Sequence, residues 1–380
     1  MYDGALCVRH RLAQESSRRA PLRLAREVLI HSITPMARQV DVSVLVPVLN
    51  EASMIEDSVT AMLNQSFDGE IEFLFMDGGS ADETREILER RARTEPRIKV
   101  FDNPGRLQAC GLNIGLKEAK GAYVARMDAH SFYPPGYIAK GVERLRAGDV
   151  AWVGGPQLPL GVGKWSQRIA VAMRSRLGIG GAVFRRPLTE EVETDTAFTG
   201  LWRKETLDEI GGWDEEATPN EDGEIAARIR ARGGRIVCVP DMAAECVTRD
   251  SIPALAKQYY RYGRARVRTL RLHPQTMRAS HALPPALVVS AGAALLGPAR
   301  IARSARLALG VYVGALAIEA ARISGSGAEK QAPFVPFALA TMHASWGSGF
   351  LVGCLRHGLP VKATAAVASR AFAGSQSTDV

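Results

Sequence analysis

The stretch Val42-Ser43-Val44-Leu45-Val46-Pro47-Val48-Leu49-Asn50-Glu51 decides how the rest of the chain is read. It is rich in β-branched residues, almost wholly apolar, and closed by Pro and Asn. That pattern predicts a strand buried on both faces, as in a parallel sheet, opening into a loop at its end. Working outward, a helical period covers residues 53–63, and a second apolar run, Ile71-Glu72-Phe73-Leu74-Phe75-Met76, stops at Asp77-Gly78-Gly79-Ser80. Helical spacing returns over 82–93, a short strand follows at 98–101, a helix at 107–119, and a fourth strand over 122–127 ends at Asp128. Strand and helix alternating at this spacing predict an open α/β sheet with right-handed crossovers, whose ligands bind beyond the carboxyl ends of the strands. The polar clusters Asn50-Glu51, Asp77-Gly78-Gly79-Ser80 and Asp128-Ala129-His130 all fall at such ends.

Past Trp152-Val153-Gly154-Gly155 the pattern loosens. It resumes with a strand over 197–203, the turn Gly211-Gly212-Trp213-Asp214, a helix opening at Asn220-Glu221-Asp222, a strand over 236–239 and a basic helix over 253–272. Beyond His281 the segments 283–299, 307–321 and 334–355 are apolar and separated by short basic linkers. Two of them fall short of the ~20 residues a bilayer crossing needs, so tilted, interfacial or paired helices fit as well as three crossings. Glu319 and His343 inside these segments need partners if they lie in lipid.

The 380 residues, 46% hydrophobic and 23% charged, are enough for a catalytic domain with an appendage. The net charge of +8 is not arranged as basic stretches interleaved with aromatics, so no nucleic-acid partner is expected. Cys7, Cys110, Cys238, Cys246 and Cys354 are scattered, odd in number and never spaced C-x-x-C, which argues against a disulfide framework and a zinc site and fits a reducing cytosol. The arginine-rich N-terminus lacks the apolar core of a secretory signal and is expected to be a basic lead-in.

Taken together, Val44 to Glu51 (V-L-V-P-V-L-N-E), Met76 to Thr84 (M-D-G-G-S-A-D-E-T), Asn113-Ile114-Gly115 with Lys120-Gly121, Asp128-Ala129-His130, Gly211-Gly212-Trp213-Asp214-Glu215 and Asn220-Glu221-Asp222 resemble glycosyltransferase family 2, particularly bacterial exopolysaccharide glucosyltransferases of the succinoglycan type. The likeness runs from about residue 41 to 271. It implies a GT-A fold, a Rossmann-like open mixed sheet with helices on both faces. It also implies an inverting mechanism and a divalent cation, Mn or Mg, holding the donor diphosphate.

The resemblance assigns Glu51 and Asp77 to the base and ribose of the donor, where a carboxylate can accept from an imide or hydroxyl. Pro47, Asn50, Gly79, Ser80 and Asn113 belong to the same donor-binding motifs. Taken singly, an Asp-Gly turn and a helix-capping Asn-Glu pair would explain these residues too. Gly78 stands where a second Asp is common. Asp128 and His130 correspond to the family's D-x-D metal motif, with an imidazole in place of the second carboxylate, which suits Mn somewhat better than Mg. Asp222 matches the general base, although two acids after Asn220 are also ordinary helix-start electrostatics. Gln258, Arg261 and Tyr262 resemble a Q-x-x-R-W motif with Tyr for Trp, and at helical spacing share one face, where Arg261 can grip the diphosphate. The competing explanation is a basic amphipathic helix on an anionic bilayer. Trp202 and Trp213 are expected either to stack on the acceptor sugar or to lie in the core.

The expectation is therefore a basic lead-in over 1–40, a GT-A domain over 41–272, membrane-associated hydrophobic helices over 273–360 and a flexible tail over 361–380. Its activity would be transfer of a hexose, glucose by resemblance, from a UDP-sugar to a lipid-linked or polysaccharide acceptor at the cytoplasmic membrane, with the catalytic domain cytosolic. The rivals are a nucleotidyltransferase, whose Gly-rich basic signature after the first strand is missing, and a non-catalytic scaffold of a polysaccharide assembly complex.

Overall fold

A computed structural model of the protein describes residues 39–376. The basic lead-in, as far as residue 38, and Cys7 lie outside the described residues.

Four strands, β1 (Val42–Val48), β2 (Ile71–Asp77), β3 (Ile98–Asp102) and β4 (Tyr123–Arg126), run parallel and are linked by α1 (Ile55–Leu63), α2 (Thr84–Ala92) and α3 (Gln108–Glu118). β1 lies between β2 and β4, which is why it is apolar on both sides. Its valines Val42, Val44, Val46 and Val48 pack with Ile55 and Val59 of α1, while Leu45 faces Leu112 and Leu116 of α3.

The sheet continues through β6 (Trp152–Gly155), β8 (Val192–Glu193), β9 (Phe198–Arg203) and β10 (Ile236–Cys238), in the order β3-β2-β1-β4-β9-β6-β10-β8. β9 is antiparallel to both of its neighbours, β4 and β6, so the sheet is mixed. A second sheet of β5 (Ser131–Phe132), β11 (Ala244–Val247) and β7 (Gln157–Leu160) stands at the carboxyl end of β4, with Cys246 paired to Ser131. Helices α4 (Tyr137–Arg146), α5 (Lys164–Arg174), α6 (Arg176–Ile179), α7 (Lys204–Ile210) and α8 (Glu221–Ala231) complete this part. Trp202 and Trp213 are 0% and 2% exposed and pack edge-on to one another, with Trp152 against Trp202, so they are core residues and do not stack on an acceptor.

The chain then forms α9 (Ile252–Leu272), α10 (Leu283–Leu296), α11 (Ala299–Ser324), α12 (Val335–His357) and α13 (Val361–Gln376). From Val40 onward the chain is one compact unit, with no break at residue 272. The reason is α12, whose backbone reaches α9 at two glycines: a Cβ on Gly263 would fall 2.0 Å from the Trp346 carbonyl oxygen, and one on Gly349 2.0 Å from that of Tyr260. The basic linker expected between the first two apolar segments is instead the first turns of α11, as arginine's good helix propensity allows. The tail expected to be flexible is also helical: α13 docks Ala363 beside Val267 and Leu270, and Arg370 donates to the Gln275 and Met277 carbonyls. Both polar residues of the apolar segments are partnered. Glu319 accepts from Arg322 and from the Arg176 N–H, and His343 bonds Tyr312 Oη and the Leu177 carbonyl. The segment Ala279–Leu296, which includes α10, and α11 have the length and hydropathy of a membrane span and keep only a small share of their residues buried.

Candidate active site

The site is organised around Arg126, the last residue of β4, which is 3% exposed. A charged residue in a buried strand must find counter-charges. Its Nε donates to Asp128 Oδ1 at 2.9 Å, and its Nη1 donates to Asp222 Oδ1 at 2.5 Å and lies 3.7 Å from Glu221 Oε1. Gln108, at the start of α3, closes the cluster. With its amide oriented to suit its neighbours, it donates to Glu221 Oε1 at 2.8 Å and accepts from Arg126 Nη2 at 2.5 Å. One guanidinium thus gathers residues from β4, α3 and α8.

The turn carrying Asp128 is pinned from below, where its N–H donates to Tyr133 Oη at 2.8 Å and Tyr133 packs edge-on against Tyr137. Asp222 sits in the first turn of α8, where the helix dipole favours its ionised form. The expected Asn220 cap is not made: that amide donates to Thr269 Oγ1 of α9 instead. Burial pushes the Glu221 carboxyl up, the Asp222 charge adds to it, and Arg126 opposes. Asp222 is likewise raised by burial and held down by Arg126, and its side chain keeps 29% exposure. Burial works against the Arg126 charge, but Asp128, Asp222 and Glu221 together raise its pKa, so it stays a cation.

His130 Nδ1 lies 3.2 Å from Glu51 Oε1, which ties the β1 loop to the β4 loop. Burial disfavours the charged ring, yet bonds to Cys246 and Glu51 and the Asp128 charge raise its pKa well above the ordinary value. In this arrangement the ring tethers the β1 loop to the β4 loop through Glu51. Asp128 retains the donor chemistry for a hard cation. Its Oδ2 is 3.4 Å from Arg126 Nη2, and it lines the cavity. No cluster of three His, Cys, Asp or Glu side chains able to hold a metal exists among the described residues.

A cavity of about 1040 Å³ opens over this cluster. Asp128, His130 and Asp222 line it together with Gln258, Arg261 and Tyr262 of α9, with Gln258 Nε2 donating to Tyr262 Oη at 3.1 Å. The same cavity also reaches α10, α11 and α12, where Leu287, Leu309 and Tyr312 line it.

The β1 and β2 ends lie side by side, Val48 in register with Asp77, but form an adjoining edge and not the cavity wall. Asn50, at φ 56°, accepts from Ala81 N–H and donates its own N–H to Ser80 Oγ. Asp77 accepts from the Ser80 hydroxyl at 2.6 Å and its N–H at 3.2 Å across Gly79, which has φ 73°. Pro47 packs toward Gly111 of α3. Asn113 is not a donor contact: its amide is spent on both backbone groups of Trp213, at 2.8 and 2.9 Å, and on Glu215. Arg126, Gln108, Tyr133 and Cys246 were not singled out from the sequence. A usable signal existed for Arg126, an arginine inside a buried strand two residues before the strand-end Asp, on the same side of the pleat.

The chain is similar to known glycosyltransferases. The model of the family "Glycosyl transferase family 2" matches residues 43–211. The succinoglycan biosynthesis protein ExoA of Rhizobium meliloti (strain 1021) is 30% identical over 309 residues, covering 81% of this chain and 93% of that protein. A Methanococcus voltae dolichyl N-acetyl-alpha-D-glucosaminyl phosphate 3-beta-D-2,3-diacetamido-2,3-dideoxy-beta-D-glucuronosyltransferase is 23% identical over 241 residues, 59% of this chain and 72% of its own. Among solved structures, a mannosyltransferase from Pyrobaculum calidifontis in complex with GDP-Man and Mn2+ superposes with a TM-score of 0.52 at 21% identity, covering 90% of this chain and 96% of that one. The mixed sheet is thus of the GT-A kind. With the relative matched over most of both lengths, the chain belongs to glycosyltransferase family 2.

Proposed function

We propose that the protein is an inverting, metal-dependent hexosyltransferase that moves a sugar, glucose by its resemblance, from a UDP-sugar to a lipid-linked saccharide or growing polysaccharide in exopolysaccharide synthesis. The observation that carries this reading is that Asp128 and Asp222, far apart in sequence, are held by the same buried guanidinium and line the same cavity.

Inversion needs a base on the acceptor side of the anomeric carbon. Asp222 is suited to it: one oxygen is anchored by Arg126, the side chain remains partly open, and the anchoring cation keeps it available to take the hydroxyl proton. Asp128 would hold the cation together with the donor phosphates. When bound, that Mn or Mg ion supplies neutralisation of the diphosphate leaving group. Gln258, Arg261 and Tyr262 face the same space and would orient the phosphates from α9. Glu51, through His130, and Asp77, through the Ser80 turn, would receive the nucleoside at the adjoining strand ends.

Membrane attachment at the cytosolic face is part of the proposal. Leu295, Leu296, Leu307, Val311 and Ile318 of α10 and α11 are all more than 60% exposed, and large apolar side chains open to the surroundings on two successive helices suit contact with a membrane. The test measures UDP release and transfer in membranes with and without Mn. Asp222→Asn should abolish transfer while retaining Mn-dependent UDP binding, whereas Asp128→Ala should weaken that binding. Transfer surviving in the first variant would remove Asp222 as base.

A further inference from the structure

The carboxylates near Arg126 are balanced by it, and Asp195 is balanced by Arg278, its ion-pair partner. Two other arginines on the cavity wall are not balanced in this way. Arg185 and Arg266 each bury an Nε that has no hydrogen-bond partner. Arg266 spends one Nη on the Thr276 carbonyl at 3.0 Å, and burial, opposed by Asp195, lowers its pKa to about 10, so it is still a cation at neutral pH. The Thr196 and Tyr259 hydroxyls on the same wall are also buried without a well-formed hydrogen bond, as are one carboxylate oxygen each of Asp195 and Glu221, and Tyr259 lies close to Arg185. Buried polar groups are normally satisfied, and orphans concentrated on one cavity mark the place of a polar ligand. Glu221 is offset by Arg126, and Arg185, Arg266 and Arg278 outnumber the Asp195 carboxylate, so the ligand that suits this wall is an anion rich in acceptor oxygens.

The location says which anion. Arg266 Nη1 would lie only 3.2 Å from a Cβ built on Gly223, the residue after Asp222, so this cation stands beside the helix turn that carries the base. Beyond it the cavity leaves polar territory and passes between α10 and α11, along Leu287, Leu309 and Ala315. A site that is cationic at one end and apolar along the rest fits an amphipathic molecule.

We infer that Arg185 and Arg266 form an anion site for the phosphate or diphosphate of a lipid-linked acceptor, whose apolar tail runs between α10 and α11. The inference rests on the glycosyltransferase reading and adds the residues that take the acceptor head. The donor diphosphate belongs to the Asp128 side, and the two anions flank Asp222.

The experiment uses the full chain in zwitterionic nanodiscs with the donor site filled by UDP and Mn, and farnesyl diphosphate, farnesol and inorganic diphosphate as probes. Farnesyl diphosphate should bind more tightly than either fragment. Arg185→Gln and Arg266→Gln should each weaken it by about tenfold or more, the scale of losing a buried charged hydrogen bond, with UDP affinity unchanged. Ala315→Trp, which fills the apolar limb, should weaken farnesyl diphosphate but not inorganic diphosphate. The inference is overturned if farnesol binds as well as the diphosphate, if inorganic diphosphate binds as well as the lipid, if UDP and farnesyl diphosphate compete, or if both arginine variants bind like wild type. The two variants are independent, so misfolding of one, read by circular dichroism, leaves the other decisive. Loss of Mn-dependent UDP binding by the wild-type chain would instead fault the glycosyltransferase reading itself.

Discussion

Replacing Arg126 by Met is the sharpest test of how the site is held together. Arg126 contacts Asp128 and Asp222 directly and Glu221 at 3.7 Å. Removing one partner of a buried ion pair costs ~3–5 kcal/mol, because the remaining charge is stranded. The three carboxylates do not contribute equally. Asp222, 29% exposed, can turn to water, and Glu221 is already pushed toward its neutral form, so the loss concentrates on Asp128, whose side chain is 9% exposed. The expected destabilisation is therefore ~3 kcal/mol, the low end of that range and a sizeable share of a 5–15 kcal/mol total. Urea unfolding followed by the fluorescence of buried Trp152, Trp202 and Trp213 measures it. Adding Asp128→Asn should then recover ~1–2 kcal/mol, since it neutralises the stranded charge, whereas the same change in the wild type should destabilise. A loss under about 1 kcal/mol for Arg126→Met, or strictly additive losses in the double variant, would refute the idea that one guanidinium holds the site.

Two further outcomes follow from the same geometry. Because Asp222 must be ionised to accept a proton and burial raises its pKa, kcat/KM should fall on the acid side with a midpoint above the ordinary Asp value. Arg126 opposes that rise, so in Arg126→Met the midpoint should move to still higher pH; a midpoint that stays put or falls in the pH–rate profile would contradict the assignment. Gly263→Ala would drive a Cβ to within 2.0 Å of the Trp346 carbonyl oxygen and should destabilise the α9–α12 contact by ~2–3 kcal/mol, lowering the midpoint of thermal unfolding, while Gly136→Ala, at φ −87° with open space around it, should not disturb packing.

Much of the fold was legible because its signals are local. The apolar run 42–48, the break at Asp77-Gly78-Gly79 and the strand ending at Asp128 each announce their place within a few residues, and the resulting sheet puts them at neighbouring carboxyl ends. The shared face of Gln258 and Tyr262 follows from helical spacing alone, and they are bonded four residues apart. Past residue 150 the pattern grew weak because β9 enters between β4 and β6 from a distant part of the chain, and no local period encodes which strand an antiparallel insert will join.

The residue types and order along the chain determined by themselves that carboxylates would cluster at one edge of an α/β sheet, since period and turn chemistry are properties of short segments. What those side chains do there was decided only by tertiary structure. Asn113 meets Trp213 a hundred residues away and is consumed by its backbone. Arg126 meets Asp222 across 96 residues and becomes the hub of the site. The expected free tail folds back on α9 as a helix. Hydrogen bonds and ion pairs of this kind depend on distance in space, and a short stretch of sequence carries no record of which distant group will arrive beside it.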